Sequence, residues 1–311
     1  MSIFRSLLTT FTVGGLILLF FPVLGDAPAE SAEGSVRSLP AHQGRSAQVK
    51  TARSNNRKPS RRPVPPEGVL LKDLTSGQTL FEKHADQPMS PASLTKVMSA
   101  IVILEEGNLE DQVTVRRRAA TARGTRLYLK PGQVLPLRGL LEAMLIRSAN
   151  DACLAAAEHV GGDEDTFVEK MNAKAAAIGL TRTRFRNACG FDMADHYSTA
   201  ADLATLTEYA MANETFAAIV REPAAVIQTI NQKRTFIVRT TNRLLGVIEG
   251  TIGVKTGYTR KAGRCLVAVV RRSDRELLLV LLNSRQRWKT AHALIEDGLR
   301  LAFPSLTTAS R

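Results

Sequence analysis

The apolar positions of the chain follow two periods, one typical of strands and one typical of helices. Val69–Leu74 and Gln78–Glu82 flank a glycine-containing turn, a pattern that predicts a β-hairpin. Apolar residues then recur at helical spacing over residues 97–104, which predicts an amphipathic helix. Ser90 is the predicted N-cap of this helix, and Pro91 is its predicted first residue.

The middle of the chain has helical periodicity, and strand-like runs return towards its C-terminal end. Helices are predicted over 140–146, 151–160 and 166–178, then after a cap at Ser198 or Thr199, and finally from near Arg287. Strands are predicted over 226–230, 235–238, 264–270 and 276–282. Strands at both ends predict an α+β fold, in which an antiparallel sheet is flanked by helices and accompanied by a second, mainly helical lobe. A ligand site is expected in the cleft between the lobes.

The first 66 residues lack these periodic patterns. Residues 1–25 contain Arg5, an uncharged and mostly apolar run, and then small residues, an order typical of a signal peptide. The alternative is an uncleaved N-terminal anchor, and both options predict export to the periplasm or cell envelope. Residues 26–66 are rich in Ser, Ala, Pro and Arg and are predicted to be a basic, disordered linker. Residues 67–303 are predicted to form the folded domain, with a tail at 304–311.

The net charge of +13 is not evenly spread along the chain, and the N-terminal segment has more than its share for its length. Residues 1–66 carry nine Lys or Arg and only three Asp or Glu. A basic chain suggests an anionic partner, but neither zinc-finger spacing nor an RNA-binding aromatic motif accompanies the charge. Nucleic acid is therefore not a predicted partner. The linker is expected either to contact a membrane or an anionic wall polymer, or to act only as a spacer.

The three cysteines do not form a metal-binding pattern, since the chain has no CxxC, and no metal site is predicted. Cys265 lies in an apolar strand-like run and is expected to be a small buried hydrophobic residue. A bridge between Cys153 and Cys189 could form in an oxidising compartment, but the sequence leaves their pairing open.

Ser93-Leu94-Thr95-Lys96 is the first of three short motifs that can carry chemistry. Positions i and i+3 share one face of a helix, so Ser93 and Lys96 would meet. A serine hydroxyl becomes a strong nucleophile when a base takes its proton. A lysine amine can be that base if burial and another cation depress its pKa. Taken alone, the motif is better explained by a solvated lysine on an ordinary helix.

The other two motifs are Ser148-Ala149-Asn150, between predicted helices, and Lys255-Thr256-Gly257, on a predicted strand. Alone, the first is explained by helix capping, since Ser and Asn are good N-caps. The second alone is explained as a polar edge strand, although a strand glycine commonly marks the close approach of another group. Their order is more specific, because S-x-x-K, S-x-N and K-T-G in succession are the signature of penicillin-binding proteins and serine β-lactamases.

The sequence around the motifs makes the resemblance closer. The chain resembles the D-alanyl-D-alanine carboxypeptidases, which are low-molecular-weight penicillin-binding proteins, over roughly residues 67–302. The matching segments are 91–96, 148–152, 196–200, 241–245 and 253–259. The resemblance implies that the folded domain is a serine DD-peptidase domain.

The resemblance also implies a mechanism of acyl transfer. Ser93 would attack the penultimate D-alanine of a peptidoglycan stem peptide, and Lys96 would accept its proton. Ser148 would pass a proton to the departing D-alanine, and Asn150 would orient Lys96 and the substrate amide. The implied partners are the stem peptide and β-lactam antibiotics, which would act as covalent inhibitors. The resemblance implies no metal and no organic cofactor.

The third motif is implied to bind the substrate. Lys255 and Thr256 would hold the terminal carboxylate, and Lys255 would also help keep Lys96 uncharged. The backbone N–H groups of Ser93 and Tyr258 would form the oxyanion hole, with Gly257 on the same strand.

Five further residues lie outside the three motifs. Arg285 or Arg287 is expected either to add charge near the carboxylate or to be solvated at a helix start. His196 is expected to be structural rather than catalytic. Ala188-Cys189 stands where the family would have a proline-histidine or similar pair, which leaves the substrate contacts of that loop open.

Two other functions remain as alternatives. A DD-endopeptidase would cut peptidoglycan cross-links with the same residues, and a non-catalytic module would only bind peptidoglycan. A β-lactamase is disfavoured, because the chain has no Glu-x-x-Leu-Asn segment that could supply a deacylating base.

Overall fold

The computed structural model describes residues 67–301. The predicted signal peptide or anchor, the predicted linker and the predicted tail all lie outside these residues. Within them, no helix has both the length and the apolar character needed to cross a membrane.

The described residues form nine strands and eight α-helices. The strands are β1 (Gly68–Asp73), β2 (Thr79–Lys83), β3 (Gln112–Thr114), β4 (Val134–Pro136), β5 (Ala224–Gln228), β6 (Thr235–Arg239), β7 (Thr251–Thr259), β8 (Gly263–Arg272) and β9 (Arg275–Leu282). The helices are α1 (Lys96–Glu106), α2 (Arg117–Ala120), α3 (Leu137–Glu142), α4 (Asn150–Gly161), α5 (Glu164–Ala177), α6 (Ala200–Met211), α7 (Glu214–Arg221) and α8 (Arg287–Leu301). A 3₁₀ turn (Ala92–Thr95) precedes α1, and a π-helical turn (Ala143–Arg147) follows α3.

The main sheet has five antiparallel strands in the order β2-β1-β9-β8-β7. β1 pairs with β9 in a register that sets Leu70 opposite Val280, which joins the beginning of the domain to its end. The predicted union of the N-terminal hairpin with the C-terminal strands is therefore confirmed. β7, which carries Lys255, forms one edge of the sheet.

Both faces of the central strands are buried, because β8 and β9 are nearly continuous apolar runs. On one face, Leu279 packs in a cluster with Ile295 of α8. On the other face, Val280 belongs to the main core together with Ile101 of α1. The sheet is thus enclosed between helices, which fixes the position of β7 relative to α1.

The segment between β2 and β5 is mainly helical, with β3 and β4 as a small antiparallel pair. Helix α1 contacts α4, α5 and α6, and α6 contacts β1 and β9, which connects this helical part to the sheet. The prediction of an α+β fold, with an antiparallel sheet, flanking helices and a mainly helical second part, is confirmed.

Helix α1 begins later than the sequence predicts. Ala92 has a left-handed φ of 50°, so the chain cannot be helical from Pro91 onward. The N-cap of the 3₁₀ turn is Pro91, without a side-chain hydrogen bond, and α1 starts only at Lys96. The prediction that Ser90 is the N-cap is therefore wrong. This start places Ser93 in a tight turn and Lys96 at the head of α1.

Candidate active site

Ser93 and Lys96 contact each other across the junction of the 3₁₀ turn and α1. The distance from Lys96 Nζ to Ser93 Oγ is 3.1 Å. Lys96 is fully buried, whereas Ser93 is partly exposed. Ser93 and Lys96 are therefore in contact, as their spacing of three residues predicts. The turn that carries Ser93 is 3₁₀ rather than α-helical.

Two further oxygen atoms hold the Lys96 nitrogen. Lys96 Nζ donates to Asn150 Oδ1 at 2.8 Å and to the Cys189 carbonyl at 2.6 Å. The amide of Asn150 is fixed in this orientation because its Nδ2 donates to the Arg123 carbonyl at 2.6 Å. Both oxygens can only accept a hydrogen bond, so they direct two N–H bonds of Lys96 away from Ser93.

The environment of Lys96 disfavours its charged form. Burial lowers the pKa of Lys96 well below the ordinary value of a lysine, and the positive charge of Lys255 lowers it further. Burial also lowers the pKa of Lys255 to about 7, with a contribution from Arg287. Lys96 therefore has the electrostatics of a general base.

The segment around Ser148 connects the π-helical turn to α4. Ser148 has a left-handed φ of 63°, and the N-cap of α4 is Ala149, which has no side-chain capping bond. The explanation of Ser148 and Asn150 as helix N-caps is therefore wrong: Ser148 ends the π-helical turn, and Asn150 turns its side chain to Lys96. Ser148 is 8% exposed, two residues before Asn150.

Strand β7 passes directly beside the turn that carries Ser93. A Cβ atom added to Gly257 would lie 3.2 Å from the Ser93 nitrogen, so glycine permits this close approach. Next to it, the hydroxyl groups of Thr256 and Thr241 are 2.6 Å apart. Tyr258 follows with a largely exposed side chain. The three motifs are thus brought to one place.

Arg287 forms hydrogen bonds with both β7 and β8. Its Nη1 atom donates to the carbonyl oxygens of Gly257 and Cys265, both at 2.8 Å. Its guanidinium is partly buried, and this burial lowers its pKa. Arg287 is therefore not a solvated arginine at a helix start, whereas Arg285 is exposed. Cys265 is a free, buried thiol, as predicted.

The comparisons with known proteins agree with this geometry. The D-alanyl-D-alanine carboxypeptidase family matches the chain over residues 55–286. The chain belongs to this family. DacB2, a D-alanyl-D-alanine carboxypeptidase from Mycobacterium tuberculosis, is 34% identical over 76% of the chain and 83% of its own length. DacF of Bacillus subtilis is 29% identical over 98% of the chain and 72% of its own length. The predicted serine D-Ala-D-Ala carboxypeptidase activity is confirmed at the level of the family.

Solved structures of penicillin-binding proteins have the same fold as this carboxypeptidase. A penicillin-binding protein homologue from M. tuberculosis is 32% identical, with a TM-score of 0.72, over 80% of the chain and 97% of that structure. Penicillin-binding protein D2 of Listeria monocytogenes, solved in its ampicillin-bound form, is 28% identical with a TM-score of 0.66. That match covers 75% of the chain and 96% of the Listeria protein.

The loop between α5 and α6 supplies a group of this carboxypeptidase that the sequence did not reveal. Asn187 Oδ1 accepts the backbone N–H groups of Cys189, Gly190 and Phe191, which folds the loop so that the Cys189 carbonyl faces Lys96. The side chain of Cys189 forms a disulfide bond with Cys153. An Asn followed three residues later by Gly is the only local signal for this turn.

His196 stabilises the turn that carries Ser93 through a hydrogen bond with Thr95. Its Nδ1 accepts the Arg186 N–H at 2.9 Å, and its Nε2 lies 2.9 Å from Thr95 Oγ1. Thr95 in turn donates to the Ala92 carbonyl at 2.8 Å. Burial lowers the pKa of His196 to about 4, so the ring is neutral at physiological pH. These contacts agree with the expected structural role.

Proposed function

We propose that this carboxypeptidase is exported and removes the terminal D-alanine from peptidoglycan stem peptides through an acyl-enzyme on Ser93. One observation carries the proposal. Lys96 Nζ is completely buried and lies 3.1 Å from Ser93 Oγ, while its other two partners, Asn150 Oδ1 and the Cys189 carbonyl, can only accept hydrogen bonds.

A neutral Lys96 has two N–H bonds and one lone pair. The two N–H bonds are used by Asn150 and Cys189, so the lone pair is directed at the hydroxyl of Ser93. Ser93 then donates its hydrogen to Lys96, which accepts the proton as Oγ attacks the carbonyl of the penultimate D-alanine. The depressed pKa of Lys96 supports this role, because a protonated lysine has no lone pair.

The remaining steps balance as an ordinary acyl transfer. The Ser93 Oγ–carbonyl bond forms, and the amide C–N bond to the terminal D-alanine breaks. Ser148 relays to the leaving amine the proton that Lys96 accepted, which returns Lys96 to its neutral form. Water then hydrolyses the ester: its hydroxyl goes to the acyl carbon, and its remaining proton goes to Ser93 Oγ. The backbone N–H groups of Ser93 and Tyr258 would stabilise the oxyanion; the close approach of Gly257 to the Ser93 nitrogen supports this assignment.

Lys255 and Thr256 are proposed to bind the terminal carboxylate. The side chain of Lys255 is buried beside the site, and its Nζ has the Thr256 carbonyl as a partner at 3.0 Å. A carboxylate beside Lys255 would favour its charged form, and that charge would keep Lys96 neutral. Substrate binding would thus favour the neutral form of Lys96, which can accept a proton.

Export to the periplasm or cell envelope is part of the proposal. The signal-like residues 1–25 support it, as does the disulfide between Cys153 and Cys189, since disulfides persist mainly in oxidising compartments. Roles in cell-wall biogenesis and cell shape would follow from the substrate. Covalent inhibition by β-lactams is proposed from the same nucleophile.

Release of D-alanine from a peptide that ends in D-Ala-D-Ala tests the activity. The wild-type protein should release it, and Ser93→Ala and Lys96→Met should each lower the rate by about a thousandfold or more. Ser76→Ala, in the exposed turn between β1 and β2, is the matched control and should retain the rate. Release by Ser93→Ala at the wild-type rate would refute the proposal.

A further inference from the structure

The outer face of the β5–β6 hairpin carries an exposed apolar pair. β5 and β6 form a two-stranded antiparallel sheet apart from the main sheet. Their inner face is buried, since Ile227 and its cross-strand partner Phe236 belong to the main core. On the outer face, Val226 lies directly opposite Ile237, and these two residues are 63% and 69% exposed. Covering this pair with another apolar surface would remove both side chains from water, which is favourable.

An acidic depression borders the β5 side of this apolar pair. It has a volume of about 530 Å³, and among the described residues it is lined by 224–226 of β5 and by none of β6. Its acidic lining residues are Glu142, Glu214 and Glu222. Burial raises the pKa of Glu142, against the effect of Arg138 and together with that of the nearby Glu222. Arg138 also lines the depression, but it is paired with Glu110, so an excess of negative charge remains.

A basic depression borders the β6 side of the same pair. It has a volume of about 370 Å³, and residues 236–239 of β6 line it. Its ionisable lining residues are Arg126, Arg147 and Arg239. In the described part of the chain, no acidic side chain and no residue of β5 lines it. The order across the hairpin is therefore acidic, apolar and basic.

The charges on both sides of the apolar pair lack ion-pair partners within residues 67–301. There, neither the three glutamates of the acidic depression nor the three arginines of the basic depression form an ion pair. Charges elsewhere do pair, such as Lys72 with Glu208 and Lys170 with Glu106. Unpaired charges of opposite sign on either side of an apolar pair are complementary to a surface with the reverse order.

We propose that the outer face of the β5–β6 hairpin is an interface between two copies of this chain. A partner with charges of one sign would match only one side of the apolar pair, whereas a second copy supplies both signs. A two-fold axis in the interface, parallel to the strands, would place Val226 of each copy over Ile237 of the other. It would also place each acidic depression over a basic one. Each copy thus contributes the same self-complementary surface.

The levels of the charged residues along the strands fit this axis. Arg239 is opposite Ala224 in the hairpin, and Glu222 is two residues before Ala224. A two-fold axis parallel to the strands keeps every residue at its own level. Arg239 of one copy would therefore lie roughly 7 Å along the strand from Glu222 of the other, a distance that an arginine side chain can span. An axis perpendicular to the strands would instead oppose two acidic depressions, which like-charge repulsion disfavours.

Sedimentation velocity of the full-length protein tests the proposal, because the association of two copies depends on their concentration. The wild type should form a dimer. Glu222→Arg and Arg239→Glu should each raise the dissociation constant of the dimer by about tenfold or more, because both symmetric contacts then join like charges. An equimolar mixture of the two variants should dimerise like the wild type, since a mixed pair has opposite charges at both contacts.

Matched variants outside the hairpin control for the change of charge and of polarity. Glu82→Arg and Arg117→Glu make the same charge changes at exposed positions and should dimerise like the wild type. Ile237→Asp should raise the dissociation constant by about tenfold or more, because it buries a carboxylate in the apolar centre. Val247→Asp, at an apolar residue that is 75% exposed, should not raise it. An unchanged Tm verifies that each variant is folded.

Three results would overturn the inference. The first is a wild type that stays monomeric at every concentration. The second is a dimer that Glu222→Arg, Arg239→Glu and Ile237→Asp leave unchanged, because it would use another surface. The third is a mixture of the two charge variants that does not dimerise. If the wild type is monomeric and Arg239→Glu only weakens its binding to polyphosphate, the basic depression takes an anionic polymer instead, which also overturns the inference.

Discussion

Cys153 and Cys189 form a disulfide bond that joins helix α4 to the loop beside Lys96, with their Cα atoms 6.0 Å apart. Each end of this bond lies close to a partner of Lys96. Cys153 is one helical turn after Asn150, and Cys189 itself provides a carbonyl. The bond therefore holds together the two oxygen atoms that orient the proposed base.

Loss of this disulfide should lower both stability and activity. The bond closes a segment of 36 residues, so Cys153→Ser/Cys189→Ser should lower the free energy of unfolding by about 2–4 kcal/mol. Penicillin should also acylate this variant more slowly than the wild type, because the backbone carbonyl of residue 189 is less firmly held beside Lys96.

Thermal unfolding with and without a reductant checks this prediction. Cys265→Ala keeps the disulfide and is the control, so reductant should lower its Tm but leave that of Cys153→Ser/Cys189→Ser unchanged. Equal Tm values and equal acylation rates for the oxidised and reduced wild type would contradict the prediction.

Gly190→Ala should reduce activity strongly. Gly190 has a φ of 84°, and an added Cβ would lie 1.9 Å from the Ala92 carbonyl, next to Ser93. The turn would have to move, and a shift of about 1 Å in a reacting group can cost about a hundredfold in rate. Gly179→Ala is the matched control, since Gly179 has a φ of 77° but open space around it. Similar kcat/KM values for the two variants would show that the contact with Ala92 is unimportant.

Lys255→Met should stabilise the fold at neutral pH while it impairs carboxylate binding. The pKa of Lys255 is about 7 in the folded protein, against 10.5 for an ordinary lysine. Between these values the unfolded chain binds more protons, so the stability of the wild type rises with pH in this window. The methionine variant lacks this dependence. Its Tm should exceed that of the wild type at pH 7 by roughly 3 °C or more, and the difference should shrink towards pH 10.

Lys233→Met, in the exposed turn between β5 and β6, is the control for a general effect of removing a lysine. Calorimetry at pH 7 and pH 9.5 gives the comparison. If the Tm difference for Lys255→Met were independent of pH, the buried charge of Lys255 would not destabilise the fold, and the prediction would be wrong.

The sheet could be predicted from the sequence because the residue pattern of each strand lies within a short stretch of the chain. The apolar run Leu277–Leu282 can be stable only when buried on both faces, and the apolar-rich stretch Val69–Leu74 precedes a glycine-containing turn. Helix α7 was not predicted: Asn213 caps it and accepts the Phe216 N–H, a signal that is plain only once the helix boundaries are known.

The site was predictable to the extent that it depends on spacing. Ser93 and Lys96 meet because they are three residues apart, and either kind of helical turn brings them together. Asn150 was misinterpreted when the motif was considered alone, because its partners Lys96 and Arg123 are distant in sequence. The carbonyl of Cys189 could not be predicted, because any residue has one and only the fold of the loop directs it to Lys96.

The central claim is that Ser93 becomes acylated. Peptide mapping by mass spectrometry after incubation with penicillin tests it directly, with Ser93→Ala and Ser148→Ala as comparison variants. The account predicts one intact penicillin on the peptide that contains Ser93, also in Ser148→Ala, and no adduct in Ser93→Ala. An adduct on Ser148, or an adduct that persists in Ser93→Ala, would contradict it.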